Sequence, residues 1–232
     1  MLLNKSRNLE LLSYIQDQIK SATKEKESQQ RNIGGRADSI LEEALTCFAE
    51  LKNNDITIPL IAKRIGVSHS LIYYYFRDKE TLFRLAIMHA LTLVMKEYET
   101  LLMRESGAEE MINAYLRLNV EMSGTLRSLV RIMLIELSSE KDESSKFVES
   151  FIHDFYKIEH NILHAAVLSG VGDGVFKCDD AHAMARFISR NIDAIYYGSF
   201  MRHGEDIATA MNYLKKVVFQ ILRRENPAQV AS

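Results

Sequence analysis

Proline is scarce in this 232-residue chain, and long alternations of apolar and polar residues are lacking. The prolines are Pro59 and Pro227 alone, while apolar residues recur three and four positions apart almost throughout. This pattern excludes a sheet-rich protein and predicts an all-α fold. Hydrophobic residues make up 47% of the chain, which is enough for a substantial core.

Cysteine and long apolar runs are scarce as well. Cys47 and Cys178 lie far apart without metal-ligand spacing, so we interpret them as reduced thiols rather than a disulfide. The N-terminus, MLLNKSRNLE, has no apolar run long enough for a signal peptide, and no segment approaches the ~20 apolar residues of a membrane span. We therefore expect a cytoplasmic protein with no membrane partner.

Positive charge is not in excess over the whole chain, whose net charge is −2. This excludes a chain that is basic throughout. The positive charge of a small nucleic-acid-binding domain, however, would be cancelled in the net charge by a larger acidic domain. Local charge is more informative. Basic residues outnumber acidic ones in the segment 57–80, with Lys63, Arg64, Arg77 and Lys79 against Asp78 and Glu80.

Capping residues divide this segment into short helices. After an amphipathic helix over 36–52, Thr57 is a good N-cap for a helix with Pro59 in its first turn. Gly66 ends that helix after a few residues, Ser68 caps a second short helix, and Asp78 caps the helix that follows. Two short helices joined by a tight turn predict a helix-turn-helix.

The rest of the chain is predicted to form long helices at roughly 79–104, 108–123, 125–138, 144–169, 179–203 and 206–224, with a glycine-rich turn at 170–174. We divide the chain into an N-terminal extension helix and linker (1–33), a three-helix head that contains the helix-turn-helix (34–82), a larger helical body (83–225) and a disordered tail (226–232).

The stretch RIGVSHSLIYYYFRDKETLF, residues 64–83, carries three consecutive tyrosines. Because consecutive helical residues step by about 100° around the axis, they cannot all face one core. We predict that Val67, Ile72 and Phe76 pack inward. The outward side then carries Ser68, His69, Ser70, Tyr73 and Tyr74.

A recognition helix enters the major groove with its N-terminal residues at base edges. His69 and Ser70 would then hydrogen-bond bases, and Tyr73 would contact a base or a thymine methyl group. Taken alone, the tyrosines are also compatible with a core edge or with a base-stacking platform for single strands.

The run from Thr57 to Leu82 resembles the helix-turn-helix signature of the TetR family of transcriptional regulators. The matching residues are Thr57, Ile61, Ala62, Gly66, Val67, Ser68, Ile72, Tyr73, Tyr75, Phe76, Lys79, Glu80 and Leu82. The later segment SGVGDGVFKCDDAHAMARFISRNIDAIYYG, residues 169–198, is similar to the joint and helix that begin the dimerisation bundle of that family.

The resemblance implies further site residues. Tyr74, Tyr75 and Lys79 would hold backbone phosphates, and Thr57 and Ser68 belong to the same surface. Leu71 departs from the small or hydroxylated residue common at its position, so we expect it to make a methyl contact.

The resemblance also implies an internal ligand cavity, which we place among the helices spanning 95–170, with Met122, His160 and His164 as candidate ligand contacts. His153, His160 and His164 share one helical face that could bind a metal or a haem. No cysteine or second-helix carboxylate can be assigned to complete a metal shell, so we predict no metal and no cofactor. These histidines would line a cavity or lie on the surface.

The sequence, read with this resemblance, therefore predicts a sequence-specific transcriptional repressor with a DNA-binding domain at 34–82 and a ligand-binding and dimerisation domain at 83–225. It would bind a double-stranded DNA operator as a homodimer through the last two helices and be released from it by an unknown small-molecule effector. Without a recognisable nucleophile arrangement we do not predict an enzyme. The alternative is a DNA-binding adaptor whose body binds a protein partner. The apolar residues expected at the dimer bundle are Phe187, Ile192, Ile195, Tyr196, Phe200, Met211, Leu214, Val218 and Leu222.

Overall fold

The computed structural model of the chain describes residues 36–51, 56–104, 107–137, 143–202 and 206–223. Every regular element within these ranges is an α-helix, which confirms the predicted fold class. The predicted extension helix and linker at 1–33 and the predicted disordered tail at 226–232 lie outside the described residues. The helices are α1 (Arg36–Glu50), α2 (Ile58–Ile65), α3 (His69–Tyr75), α4 (Lys79–Arg104), α5 (Ala108–Glu121), α6 (Ser123–Leu137), α7 (Glu143–Gly172), α8 (Ala181–Met201) and α9 (Ile207–Leu222).

These helices form two compact units. The N-terminal unit contains α1, α2, α3, α4 up to residue 96, α6 from residue 124 and the start of α7 up to residue 150. The C-terminal unit contains the end of α4, α5, the rest of α7, α8 and α9. The division into a head at 34–82 and a body at 83–225 concerns function and stays a prediction.

The short helices begin and end where the sequence predicts. The Thr57 side chain accepts a hydrogen bond from the Leu60 N–H at 3.3 Å, and Ser68 Oγ accepts one from the Leu71 N–H at 3.2 Å. Gly66 ends α2 in the left-handed region, with φ of 74°, which favours glycine because a Cβ is strained there. These three residues make the predicted turn between α2 and α3 a local property of the sequence.

The core of the N-terminal unit is built from the predicted apolar stripe of α1. Ile40, Leu41 and Phe48 are buried, as are Ile61 on α2 and Ile72 on α3. Helix α2 packs against both α1 and α3. This packing fixes which side of α3 faces outward.

In the C-terminal unit, α9 packs against α8 and α5. The backbone N–H of Lys177 donates to the carbonyl of Leu222 at 2.7 Å, which ties the α7–α8 connection to the end of α9. Both cysteines are free thiols. None of the helices described here is long and apolar enough to cross a membrane.

The glycine-rich turn begins later than predicted, because α7 continues to Gly172. Gly174, with φ of 71°, makes the turn itself. The N–H groups of Val175 and Phe176 both donate to the carbonyl of Gly170, which folds the Phe176 ring back onto the helix. Gly170 is needed for this close approach, since an added Cβ would overlap the ring carbons of Phe176.

Gly170→Ala should therefore lower the free energy of unfolding by about 2 kcal/mol, the usual size of an overpacking effect. Gly172→Ala is the matched control, because a Cβ there meets open space. Alanine at that helical position should be neutral or slightly stabilising. Chemical denaturation of the two variants measures the difference, and equal effects would show that the Phe176 contact does not constrain this position.

Candidate nucleic-acid interface and interior sites

Helix α3 has one anchored side and one exposed side. Ile72 and Phe76 are buried, whereas Tyr73 is 52% exposed and Tyr74 is 76% exposed. The Tyr75 ring is half-buried and meets the Tyr74 ring edge-on, with centroids 5.2 Å apart. The three adjacent tyrosines thus point in different directions, and two of them present phenol groups to solvent.

The other residues predicted to contact DNA lie in the N-terminal turn of α3 (Ser68, His69, Ser70 and Leu71), at the start of α2 (Thr57) and at the start of α4 (Lys79). Ser68, His69, Ser70 and Thr57 are exposed, and Leu71 and Lys79 are half-buried. The N-terminal end of the helix, which bears the side chains predicted to read bases, is therefore accessible from outside the chain.

Positive charge near α3 is divided between paired and outward-facing groups. Arg64 donates to Glu50 at 2.8 Å, so its charge is directed at α1. Arg77 is 92% exposed in its side chain and lies just past the recognition helix, 3.9 Å from Asp78. The sequence analysis counted Arg77 among the local charges without assigning it to the surface, and its position makes it a further candidate phosphate contact.

Asp78 caps the start of α4 as predicted, because its Oδ1 accepts the Thr81 N–H at 2.7 Å. Hydrogen bonds from Thr81 lower the pKa of the Asp78 carboxyl below its usual value. The cap fixes the first turn of α4 directly beside Lys79.

Two of the predicted ligand contacts meet a third histidine. The rings of His160 and His164 on α7 stack at 5.9 Å between centroids, and His182 on α8 stacks on His164 at 3.7 Å. The ring nitrogens of His160 and His182 lie 3.1 Å apart. Met122 caps the end of α5 and is half-buried, and His153 is exposed.

The surroundings of His160 and His164 favour neutral rings. Within the ranges covered by the structure, no group of three or more histidine, cysteine, aspartate or glutamate residues is arranged to hold a metal ion. Burial and the neighbouring His182 lower the pKa values of His160 and His164, so both rings favour the neutral form. The assignment of these two histidines and Met122 to a ligand site stays a prediction.

A buried carboxyl, which the sequence analysis missed, lies elsewhere in the C-terminal unit. Glu159 on α7 is 3% exposed. Its oxygens accept hydrogen bonds from Tyr115 Oη and Ser189 Oγ, each at 2.6 Å. Tyr98 Oη lies 3.1 Å from Tyr115 Oη, so the network joins α4, α5, α7 and α8.

Burial raises the pKa of Glu159 to about 7, because the charged form loses hydration that the hydrogen bonds only partly replace. Burial also raises the pKa of nearby Asp193 to about 6, while Tyr156 donates to it at 2.9 Å. The sequence does contain a signal for Glu159, since it occupies a position of the apolar stripe that includes Ile162 and Leu163.

The structure contains a cavity of about 470 Å³ in the N-terminal unit, between α1, α4 and α6. Most of its lining precedes residue 95, whereas the ligand cavity was expected among helices spanning 95–170. Its lining includes neither the histidine cluster (His160, His164 and His182) nor Glu159.

Comparison with known proteins shows which family of regulators the chain resembles. The profile described as "Bacterial regulatory proteins, tetR family" matches residues 40–86, the segment that forms α1, α2, α3 and the start of α4. The chain is 25% identical over 166 residues to the HTH-type transcriptional regulator BetI of Proteus mirabilis (strain HI4320), covering 71% of this chain and 80% of that protein. Residues 40–86 of the chain therefore match the DNA-binding segment of TetR-family regulators.

Two other proteins show how far the similarity extends beyond residues 40–86. The HTH-type transcriptional repressor Rv1474c of Mycobacterium tuberculosis (strain ATCC 25618 / H37Rv) is 36% identical over 52 residues, 22% of this chain and 28% of that protein. A crystal structure of a transcriptional regulator from Saccharomonospora viridis in complex with choline has the same fold, with a TM-score of 0.66 and 19% identity over 82% of this chain and 98% of that chain.

The last two helices of the chain, α8 and α9, carry apolar side chains toward solvent. Several residues that the sequence analysis expected at a dimer bundle are instead buried within the chain itself. These are Ile192, Tyr196, Met211, Leu214, Val218 and Leu222. The exposed set is Phe187, Tyr197 and Met201 on α8 and Tyr213, Val217 and Ile221 on α9.

Proposed function

We propose that this TetR-family regulator binds double-stranded operator DNA through α3, represses transcription there, and is released by a small-molecule effector. The observation that supports DNA binding is the two-sided geometry of α3. Ile72 and Phe76 hold the helix on the core, while His69, Tyr73 and Tyr74 are exposed. A helix anchored in this way can enter the major groove without unfolding its own unit.

The residue roles follow from their positions on the helix. His69 and Ser70, in the first turn of α3, read base edges, and Tyr73 contacts a base or a thymine methyl group. Tyr74, Tyr75 and Lys79 hold phosphates on either side of the groove, and the exposed guanidinium of Arg77 adds a further phosphate contact. Leu71 contributes a methyl contact, and Thr57 and Ser68 lie at the edge of the interface.

The regulator acts as a homodimer through α8 and α9. Tyr213, Val217 and Ile221 recur four residues apart and therefore form one exposed stripe along α9, with Phe187, Tyr197 and Met201 on α8. Pairing these two helices with their symmetry mates would make a four-helix bundle and cover the apolar surface. Two heads then enter successive major grooves about 34 Å apart.

The effector acts by favouring a conformation that does not fit two successive grooves. Helix α4 begins directly after the recognition helix and continues into the C-terminal unit. A ligand that shifts α4 therefore changes the positions of residues in both units. The change in operator affinity cannot exceed the effector's differential affinity for the two conformations. The complex of the Saccharomonospora viridis regulator with choline supports a small organic molecule, rather than a protein, as the effector class.

Selection of bound fragments from genomic DNA tests the proposed function. The purified protein should enrich duplexes that contain two related half-sites about one helical turn apart. A variant with Tyr73 and Tyr74 both replaced by alanine should enrich none of them, whereas Val175→Ala, at an exposed position outside α3 and outside the proposed dimer interface, should leave the enrichment unchanged. Failure of the wild-type protein to enrich any sequence would refute operator recognition.

A further inference from the structure

The histidine cluster joins two helices of the C-terminal unit. His160 and His164 lie on α7, and His182 lies in the first turn of α8. The three rings are nearly parallel, with an angle of 4° between the planes of His160 and His164 and of 14° between His182 and each of the others. His160 and His164 are half-buried and His182 is exposed, so protons from solvent can reach the cluster.

His182 makes two contacts of different kinds. Its Nδ1 atom faces Nε2 of His160 at 3.1 Å, which is a hydrogen-bond distance. The centroids of these two rings are 5.3 Å apart, so the rings meet edge to edge. The second contact is a face-to-face stack on His164, with centroids 3.7 Å apart. The two histidines of α7 therefore hold His182 by its edge and by its face.

This arrangement accepts a limited number of protons. A hydrogen bond between two ring nitrogens needs one N–H donor and one nitrogen lone pair. The neutral pair of His160 and His182 meets this requirement, and so does a pair with one extra proton on the far nitrogen of the donor ring. A second extra proton would put N–H groups on both facing nitrogens and break the bond. It would also place two positive charges side by side.

The charged groups near the cluster act in opposite directions. Burial is the largest effect on His160 and His164, and with repulsion from His182 it lowers the pKa of both rings below the ordinary value of 6.5. Arg186 on α8 also disfavours a charged His160, whereas Asp180, the N-cap of α8, favours a charged His164. Because the lowering effects prevail, the two rings of α7 are neutral at neutral pH and the hydrogen bond can form.

We propose that the histidine cluster is an acid-sensitive clasp between α7 and α8. The hydrogen bond and the stack form at neutral pH and break when the pair of His160 and His182 takes up its second proton. Breaking them loosens the start of α8, the helix that carries the exposed side chains of Phe187, Tyr197 and Met201. Acid then weakens the homodimer. This last step rests on the proposed function, whereas the clasp itself needs no partner chain.

Nitrogen-15 NMR of the histidine rings in the full chain tests the clasp. At about pH 7.5 a scalar coupling between His160 Nε2 and His182 Nδ1 should report the hydrogen bond, and at about pH 5 it should be lost. Amide hydrogen exchange of residues 181–185, expressed as protection factors that remove the intrinsic pH dependence, follows the start of α8. Each proton bound on opening favours opening about tenfold per pH unit, so protection should fall at least about tenfold.

A double variant keeps the link but removes its titration. The side-chain nitrogen of His160→Gln replaces Nε2, and the side-chain oxygen of His182→Asn replaces Nδ1, so a donor still faces an acceptor. Its protection factors should change less than about twofold between the two pH values, since no second proton is taken up. His153→Gln is the matched control, because His153 is exposed on the same helix outside the cluster. This control should keep the wild-type response, and circular dichroism checks that both variants are folded.

Sedimentation equilibrium at the two pH values measures the effect on the homodimer. The dissociation constant should rise about tenfold on acidification in the wild-type and His153→Gln proteins and stay nearly constant in the double variant. A constant value in the wild-type protein while the clasp opens would overturn the link to dimerisation. A chain that is monomeric at both pH values would refute the proposed homodimer, and the exchange data would still decide on the clasp. No coupling at neutral pH, constant wild-type protection, or an equal acid response of the double variant would overturn the clasp.

Discussion

Replacing Lys79 with alanine is expected to weaken binding to every duplex, whatever its sequence, by about 100-fold. A charge-assisted phosphate contact contributes roughly 1.5 kcal/mol, and the homodimer loses two of them, which together correspond to about a hundredfold change in affinity. Each lost contact also lowers the slope of log affinity against log salt by about 0.9. Equilibrium binding to operator and random duplexes at several salt concentrations measures both quantities.

His69→Ala is the contrasting variant, because His69 is predicted to contact a base rather than a phosphate. It should weaken binding to the operator, relax the preference at the contacted base pair, and leave the affinity for random duplexes nearly unchanged. If both variants reduced operator and random binding by the same factor, the division between base-reading and phosphate-holding residues would be wrong.

Glu159→Gln is expected to remove about 3 kcal/mol of pH dependence from the free energy of unfolding. The Glu159 carboxyl has a pKa of about 7 in the folded chain, against an ordinary value of 4.5. Between these values the folded chain retains a proton that the unfolded chain releases, so stability falls as the pH rises through this window. One pKa unit corresponds to about 1.4 kcal/mol, which gives the expected magnitude.

Chemical denaturation at a series of pH values measures this effect as the difference between the wild-type and Glu159→Gln curves. The difference isolates Glu159, because contributions common to both proteins cancel. These include His160 and His164, whose lowered pKa values stabilise the fold as the pH rises. Glu121→Gln, which changes an exposed carboxyl on α5, should leave the wild-type pH dependence in place. Parallel curves for the wild-type and Glu159→Gln proteins would contradict the assignment of a buried, protonated Glu159.

The head could be predicted from the sequence because its determinants are local. Thr57 and Ser68 each cap a helix through an N–H three residues away, and Gly66 ends α2 through its own backbone conformation. The spacing of Ile72 and Phe76 then orients α3 without reference to distant residues. The same reasoning placed the helices of the body to within a few residues, although α7 continues three residues into the predicted turn, as far as Gly172.

The interior sites could not be predicted in the same way, because they depend on pairings between distant helices. Glu159 meets Tyr115 across 44 positions of the chain, and His182 joins His160 across 22. Periodicity marks Glu159 as an unusual residue in an apolar stripe but does not identify its partner. The cavity is still less visible, since it is formed by small residues such as Ala86 and Ala90 that look like ordinary core positions.

The dimer prediction shows the same limit. The sequence pattern marks α8 and α9 as strongly apolar, but it cannot separate the residues that pack within one chain from those left for a partner. The structure makes that separation, with Tyr196 and Val218 inside and Tyr213 and Val217 exposed. The proposed interface has therefore moved from the buried stripe to the exposed one.

Methylation protection of guanine N7 atoms, which lie in the major groove, tests most directly whether α3 reads duplex DNA. On a selected operator fragment, the wild-type protein should protect guanines in two successive major grooves on one face of the duplex. His69→Ala should lose protection at the base pair it contacts while the rest of the pattern remains. The absence of guanine N7 protection at low salt, under conditions where the protein binds the fragment, would contradict the placement of α3 in the major groove.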